Sequence, residues 1–280
     1  MASVRVHPYT CTAKDWFVNT YLVETANGVV LIDGGLAVSS SHEIRAKISD
    51  ELRKPLLAVL LTHGHPDHYV GVGEIVGTAQ VPIVATERAR EQARERDAVE
   101  APVLARFFGD DFPAQRVLPN VVVADGAMQV YDGVQFRLQE LGPCESESDS
   151  VWIVDGEDGT HYFVGDLLYN HVHAFFMDGY ALQWLEQLDR MLQQCDHRAT
   201  LYPGHGDLAG IEALAWQRGY IEAFLVLLRR LVGPDATLTD DSMRVLVERM
   251  TAFVGNERLL YLLTFGMDRT VRLLTERGAI

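Results

Sequence analysis

Leu61-Thr62-His63-Gly64-His65-Pro66-Asp67-His68 ends an apolar run that begins at Leu56 and places three imidazoles and a carboxylate within six positions. The run Leu56 to Leu61 follows Pro55 and reads as a buried strand, so a rigid element leads into the histidines. Gly64 and Pro66 let the backbone turn so that alternate side chains converge. Neutral imidazole and carboxylate are the ligands that borderline and hard divalent ions take. A strand that delivers them together at its end has the makings of a metal site.

Outward from this stretch the chain reads as a sheet-rich α/β protein. Asn19 to Glu24 and Val29 to Asp33 flank Asn27-Gly28, a pair that tolerates positive φ and signals a hairpin. Ser39 to Arg53 carries apolar residues at helical spacing and feeds the Leu56 strand. Val81 to Ala85 reads as a strand and Thr86 to Asp97 as an exposed, mostly charged helix with Thr86 as its cap. Arg88 to Arg96 and Arg229-Arg230 are read as solvated helix faces. Val121 to Val123, Met128 to Tyr131 and Val134 to Leu141, separated by Asp125-Gly126 and Asp132-Gly133, predict a meander, and Val151 to Val154 with His161 to Val164 another hairpin. From Ile211 the pattern is helical to about Leu231, again from about Asp240 to Phe253, and again from Asn256 toward the end.

Composition narrows the function classes. The 280 residues carry 24 Lys+Arg against 39 Asp+Glu, a formal charge of −15, and only three lysines. That balance offers no cationic groove for nucleic acid and no basic patch for anionic lipid. No apolar run reaches the length of a membrane span, and Met1 to Trp16 lacks a basic flank followed by an apolar stretch, so the expectation is a cytoplasmic protein. Cys11, Cys144 and Cys195 contain no C-x-x-C pair, which indicates neither a disulfide framework nor a thiolate zinc cage.

The first motif resembles the metal-binding signature H-x-H-x-D-H of the metallo-β-lactamase superfamily, matched here at His63, His65, Asp67 and His68. Three further pieces resemble that family's pattern in the expected order. Leu31-Ile32-Asp33-Gly34-Gly35 is similar to the early element whose Asp supports the metal loop. Phe163-Val164-Gly165-Asp166 is similar to the strand end whose Asp bridges two metals, and Leu201-Tyr202-Pro203-Gly204-His205-Gly206 to the late strand whose His completes the second site. The resemblance covers roughly residues 17 to 210. It implies an α/β fold, the αββα sandwich of two mixed sheets packed face to face with outer helices. The expected division is a metal-binding region over 1–210 and a helical extension over 211–280 that acts as lid, cap or dimer contact.

One element departs from the family pattern. Between the first cluster and Asp166 most members place a histidine, whereas Gly142-Pro143-Cys144-Glu145-Ser146-Glu147-Ser148-Asp149-Ser150 contains none. Glu145 has the neighbouring Ser that the missing His would have, and Glu147 fits better if the spacing to Asp166 is held; Glu145 is preferred. The resemblance then implies a first divalent ion on His63, His65 and Glu145, a second on Asp67, His68 and His205, and Asp166 between them. Zinc is the expected metal, with Mn or Fe compatible because a carboxylate makes the first site harder. Cys144 is read as a small buried thiol.

The activity implied is hydrolysis of an ester, lactone, thioester or amide of a small molecule by a metal-bound hydroxide. Asp67 is expected to orient the nucleophile or pass its proton to the leaving group, and His173 or Tyr169 to donate a hydrogen bond to a developing oxyanion. His7, His42, His161 and His197 have no motif around them. Glyoxalase-II-like members place a further His where Gly64 stands, which weighs against that subclass. The competing expectation, raised by the missing histidine, is a metal-retaining but catalytically weak binding or regulatory protein of the same fold.

Overall fold

The structure, a computed structural model, describes residues 4–280. Its first sheet has the order β1 (Arg5–Thr10), β2 (Asn19–Glu24), β3 (Val29–Ile32), β4 (Leu56–Leu60), β5 (Ile83–Ala85), β6 (Val121–Val122), antiparallel from β1 to β3 and parallel beyond. The second runs β11, β10, β9, β8, β7, with β7 (Met128–Tyr131), β8 (Val134–Gly142), β9 (Asp149–Gly156), β10 (Gly159–Asn170) and β11 (Thr200–Gly206). Only β10 and β11 pair in parallel there. On the first sheet lie α1 (Val38–Ala46), α2 (Pro66–Tyr69), α3 (Val72–Val76) and α4 (Glu87–Phe108). On the second lie α5 (Ala181–Gln194) and α6 (Glu212–Leu231), with α7 (Asp240–Val254) packed on α6, α8 (Leu260–Thr264) on α7, and α9 (Met267–Glu276) joining the same apolar cluster.

The two-residue period of the strands builds this layering. Val30, Ile32, Ala58 and Leu60 face Phe136, Leu138, Trp152 and Phe163 between the sheets. Their alternates Val29, Leu31, Val59 and Leu61 pack under Ile44, Ile75 and Ala93 of the helices on the first face. On the second face Val151, Ile153 and Val164 meet Trp184, Leu188, Tyr220 and Phe224, in one cluster with Leu246, Leu263 and Val271. The architecture is therefore the αββα sandwich, and the residue 210 boundary separates strand-rich from helical chain without separating two cores.

Several local readings change. The hairpin between β2 and β3 forms, but neither Asn27 nor Gly28 takes positive φ. Its turn closes by Thr25 N donating to Gly28 O at 2.9 Å, and Asp132 accepts from Asn27 N at 2.6 Å. Asp132-Gly133 is the pair with two positive φ values, 49° and 78°, joining β7 to β8. β6 leaves the expected meander and extends the first sheet beside β5. α4 continues eleven residues beyond Asp97, through Pro102. Buried Ala101 and the contacts of Leu104 and Phe108 with the core offset the backbone hydrogen bond that the proline removes. The last helix starts only after left-handed Leu259 and is broken in two at left-handed Gly266. β1 and α5 were not foreseen.

Candidate metal centre

The site lies where the ends of β4, β10 and β11 meet. β4 stops at Leu60, and the chain turns through His63, Gly64 and His65 into the short α2, which carries Asp67 and His68. Gly64 is a packing requirement, because a Cβ there would lie 2.7 Å from both Ala89 O and Ala93 N of α4. β10 shifts register on either side of Gly165, which takes φ 51°, and this irregularity turns Asp166 into the site. Gly204 on β11 runs directly against Asp166, leaving no room for a side chain.

Two groups of side chains converge there: His63, His65, Glu145 and Asp166, and Asp67, His68 and His205, each with its potential ligand atoms within 4.8 Å of one another. His65 Nδ1 lies 3.1 Å and His63 Nε2 3.9 Å from Glu145 Oε2. His68 Nε2 lies 3.3 Å from Asp166 Oδ1, and His205 Nε2 lies 3.3 Å from Asp67 Oδ2 and 3.6 Å from Asp166 Oδ2. The opposite nitrogen of every ring is occupied: Thr62 Oγ1 at 3.0 Å from His63, Asp178 at 3.1 Å from His65, Asp33 at 2.9 Å from His68 and Trp16 O at 3.1 Å from His205. That fixes ring orientation and tautomer, as supporting groups do around metal-bound imidazoles.

The inward-facing atoms are left without partners. His63 Nε2, His68 Nε2, His205 Nε2, both oxygens of Glu145 and Asp166 Oδ1 are buried and make no hydrogen bond. Buried polar atoms are normally paired, so a set of unpaired ones pointing at a common centre fits divalent cations. Charge follows the same geometry. Burial drives His63 well below the ordinary imidazole range. Burial opposes protonation of His68 too, but Asp166, Asp67 and Asp33 hold it well above that range, and Asp166 with Asp67 lifts His205 to about 9. Burial likewise raises the Glu145 carboxyl, whereas His205 and His68 keep Asp166 well below the usual carboxylate value despite its burial.

Supporting bonds tie the site to the fold. Asp33, held at φ 56°, accepts from Thr62 N at 2.9 Å and Thr62 Oγ1 at 2.8 Å as well as contacting His68. Asp149 accepts from Ser146 N at 2.8 Å and so shapes the loop that carries Glu145, while Gln92 of α4 accepts from Gly64 N at 3.1 Å.

Not every expected residue joins the cluster. Glu147 points outward and pairs with Arg88 at 3.0 Å, so of the two glutamates only Glu145 groups with His63 and His65. His173 is buried away from the centre, its nitrogens engaged by Tyr220 Oη at 3.1 Å and Asn256 O at 3.2 Å, a placement at odds with the oxyanion role expected of it. Tyr169 does reach the site, but its hydroxyl donates to Asp166 and its ring stacks on His205 at 4.7 Å. Cys144 is a buried free thiol outside both groups. Arg96, read as solvated, instead pairs with Asp178 behind His65. Asp178 was missed altogether, since no motif surrounds it and it lies 113 positions from His65. Above the cluster opens a cavity of about 710 Å3 lined by His65, Asp67, Asp166, Tyr169 and His205 at its floor.

A family model described as the metallo-beta-lactamase superfamily matches residues 13–205, and the chain belongs to that superfamily. The linear primary-alkylsulfatase of Pseudomonas sp. (strain ATCC 19151) is 29% identical over 96 residues, 32% of this chain and 18% of that protein, so the match spans less than a fifth of the curated relative. Among solved structures, a beta-lactamase domain protein from Burkholderia ambifaria superposes with a TM-score of 0.71 at 15% identity, covering 99% of this chain and 88% of that one. A metallo-beta-lactamase family protein from Thermus thermophilus gives 0.67 at 21%, covering 99% and 94%. At these identities the shared property is the fold. Among the described residues no helix is long and apolar enough to cross a membrane.

Proposed function

We propose that the protein is a metal-dependent hydrolase that cleaves an ester-type bond of a small molecule: an ester, lactone, thioester or amide. The observation that carries this reading is the set of buried, unpartnered nitrogens and oxygens converging beneath an open cavity. His63, His65 and Glu145 would hold one divalent ion, Asp67, His68 and His205 the other, with Asp166 between. Bound there, such ions supply Lewis acidity and an acidified water near neutral pH. Asp67 faces the cavity beside His205 and is assigned to orient the attacking water and to carry its proton toward the leaving group. Tyr169 holds the Asp166 carboxylate in place instead of serving an oxyanion. Asp33, Asp178 and Thr62 fix the imidazoles so that no reorganisation is needed as charge develops.

A charge of −15 with three lysines favours small molecules over nucleic acid as substrate. The Pseudomonas relative is a linear primary-alkylsulfatase, so sulfate esters belong beside carboxylic esters, lactones, thioesters and β-lactams in a substrate panel. The alternative of a catalytically weak binding protein rests on the missing histidine; the grouping of Glu145 with His63 and His65 supports the hydrolase instead. The panel is run with protein purified without chelator: turnover of at least one class, abolished by chelator and by Asp67→Asn, is expected. Full metal content with no turnover of any class would favour the binding protein.

A further inference from the structure

The cavity above the cluster is divided by polarity. Its floor carries the imidazoles and acids, but its wall is apolar: Val99, Val103 and Phe107 of α4 on one side, Phe175, Met177 and Phe265 on the other. Val99, Val103 and Phe107 recur every four residues and form one stripe along the helix. They are 73%, 58% and 87% exposed, in a helix whose N-terminal half shows charged groups to solvent, and Phe265, just past α8, is 60% exposed. Isolated exposed apolar residues need no explanation, whereas a contiguous stripe that leads into a polar centre does. From Val99 to Phe107 the stripe extends about 12 Å, the reach of a medium-length n-alkyl chain. Besides the acids of the floor, the charged groups that line the same cavity are Lys14, Arg96, Glu100 and Arg269.

Resting on the hydrolytic reading above, we propose that the substrate is a single-chain amphiphile: an ester whose scissile bond lies over the acid and imidazole floor and whose unbranched aliphatic chain lies along Val99, Val103 and Phe107 opposite Phe265. Continuity of this wall with the reactive floor points to substrate, because a second protein copy or a lipid surface covering the stripe would also block the entrance.

Binding of the product-like n-alkan-1-ols hexanol, octanol and decanol to the protein as purified, followed by calorimetric titration, tests this without requiring turnover. Affinity should rise roughly two- to fourfold per added methylene. Val103→Asp, at an exposed position where folding is not at stake, should flatten the series while melting temperature and metal content stay unchanged. Affinity independent of chain length, or a length dependence that Val103→Asp leaves intact, would overturn the proposal. So would sedimentation showing a dimer that Val103→Asp splits and no alcohol binding, which would assign the stripe to a second copy. The two readings fail separately. Turnover of short esters without chain-length-dependent binding removes the tail groove alone, and chain-length-dependent binding with no ester of any length cleaved removes the hydrolase alone.

Discussion

Neither oxygen of the Glu145 carboxylate has a hydrogen-bond partner although the side chain is buried, with only His65 Nδ1 close by at 3.1 Å; burial pushes its carboxyl up to about 8, and a cation at this place would favour the ionised form. Glu145→Gln keeps the shape and removes the charge. It should weaken the ion shared with His63 and His65 by more than the roughly ten- to hundredfold that supporting residues carry, while Glu147→Gln, whose side chain reaches Arg88 in solvent, should retain full metal content by elemental analysis. Protons compete for the same atoms. With His205 lifted to about 9 and His68 held high in the metal-free chain, both carry protons at pH 7 that an ion must displace. Divalent cation affinity should therefore fall as pH drops, with net proton release at pH 7 in calorimetry across buffers of different ionisation enthalpy; zero release would contradict the assignment. The sign for stability runs the other way. A histidine raised from its unfolded value near 6.5 stabilises the metal-free fold fully below that value, and the contribution is lost as pH rises through about 9. Metal-free protein should thus melt lower at pH 9 than at pH 6.

At the scale of elements, α4 does more than the sequence pattern suggests. Gln92 holds the His63–His65 turn, Arg96 holds Asp178 behind His65, and the stripe from Val99 walls the cavity. Asp178→Asn should lower metal affinity roughly ten- to hundredfold and, because it leaves the largely buried Arg96 guanidinium with Glu100 as its one remaining carboxylate partner, should also lower the melting temperature of the metal-free protein; an unaltered dissociation constant would remove its positioning role. His63 to His68, Asp166 and His205 were legible because each sits in a short motif, after β4, at the register shift of β10 and near the end of β11. Asp178 and Arg96 were not, because a loop residue and a helix residue meet only through tertiary packing. α4 outruns the end at Asp97 expected for it because buried Ala101 and the core contacts of Leu104 and Phe108 override the low helix propensity of Pro102. His173 was misread for a related reason: proximity in sequence to Asp166 says nothing about which side of the sheet a side chain leaves, and β10 ends before it.

For the whole molecule, strand and helix patterns gave a sheet-rich α/β protein and the family resemblance implied its αββα layering, whereas the place of the final helices could not be read, because amphipathic helices do not announce what they cover. α6 covers the second sheet, and α7 packs on α6. Tyr220 and Phe224 of α6 pack with Phe176 and Trp184 in one cluster with the β10 residues, so ending the chain after Gly210 would expose that apolar face. The expected result is loss of soluble folded protein, read by sedimentation and circular dichroism; a stable, active truncated chain would show that the helices are dispensable. The central claim concerns what stands between the imidazoles and acids. Crystals of protein purified without chelator, measured at the absorption edge of the metal that fluorescence identifies, should show two anomalous peaks, one among His63, His65 and Glu145 and one among Asp67, His68 and His205, with Asp166 touching both. No peak at this centre, in crystals grown with or without added divalent ions, would contradict the account.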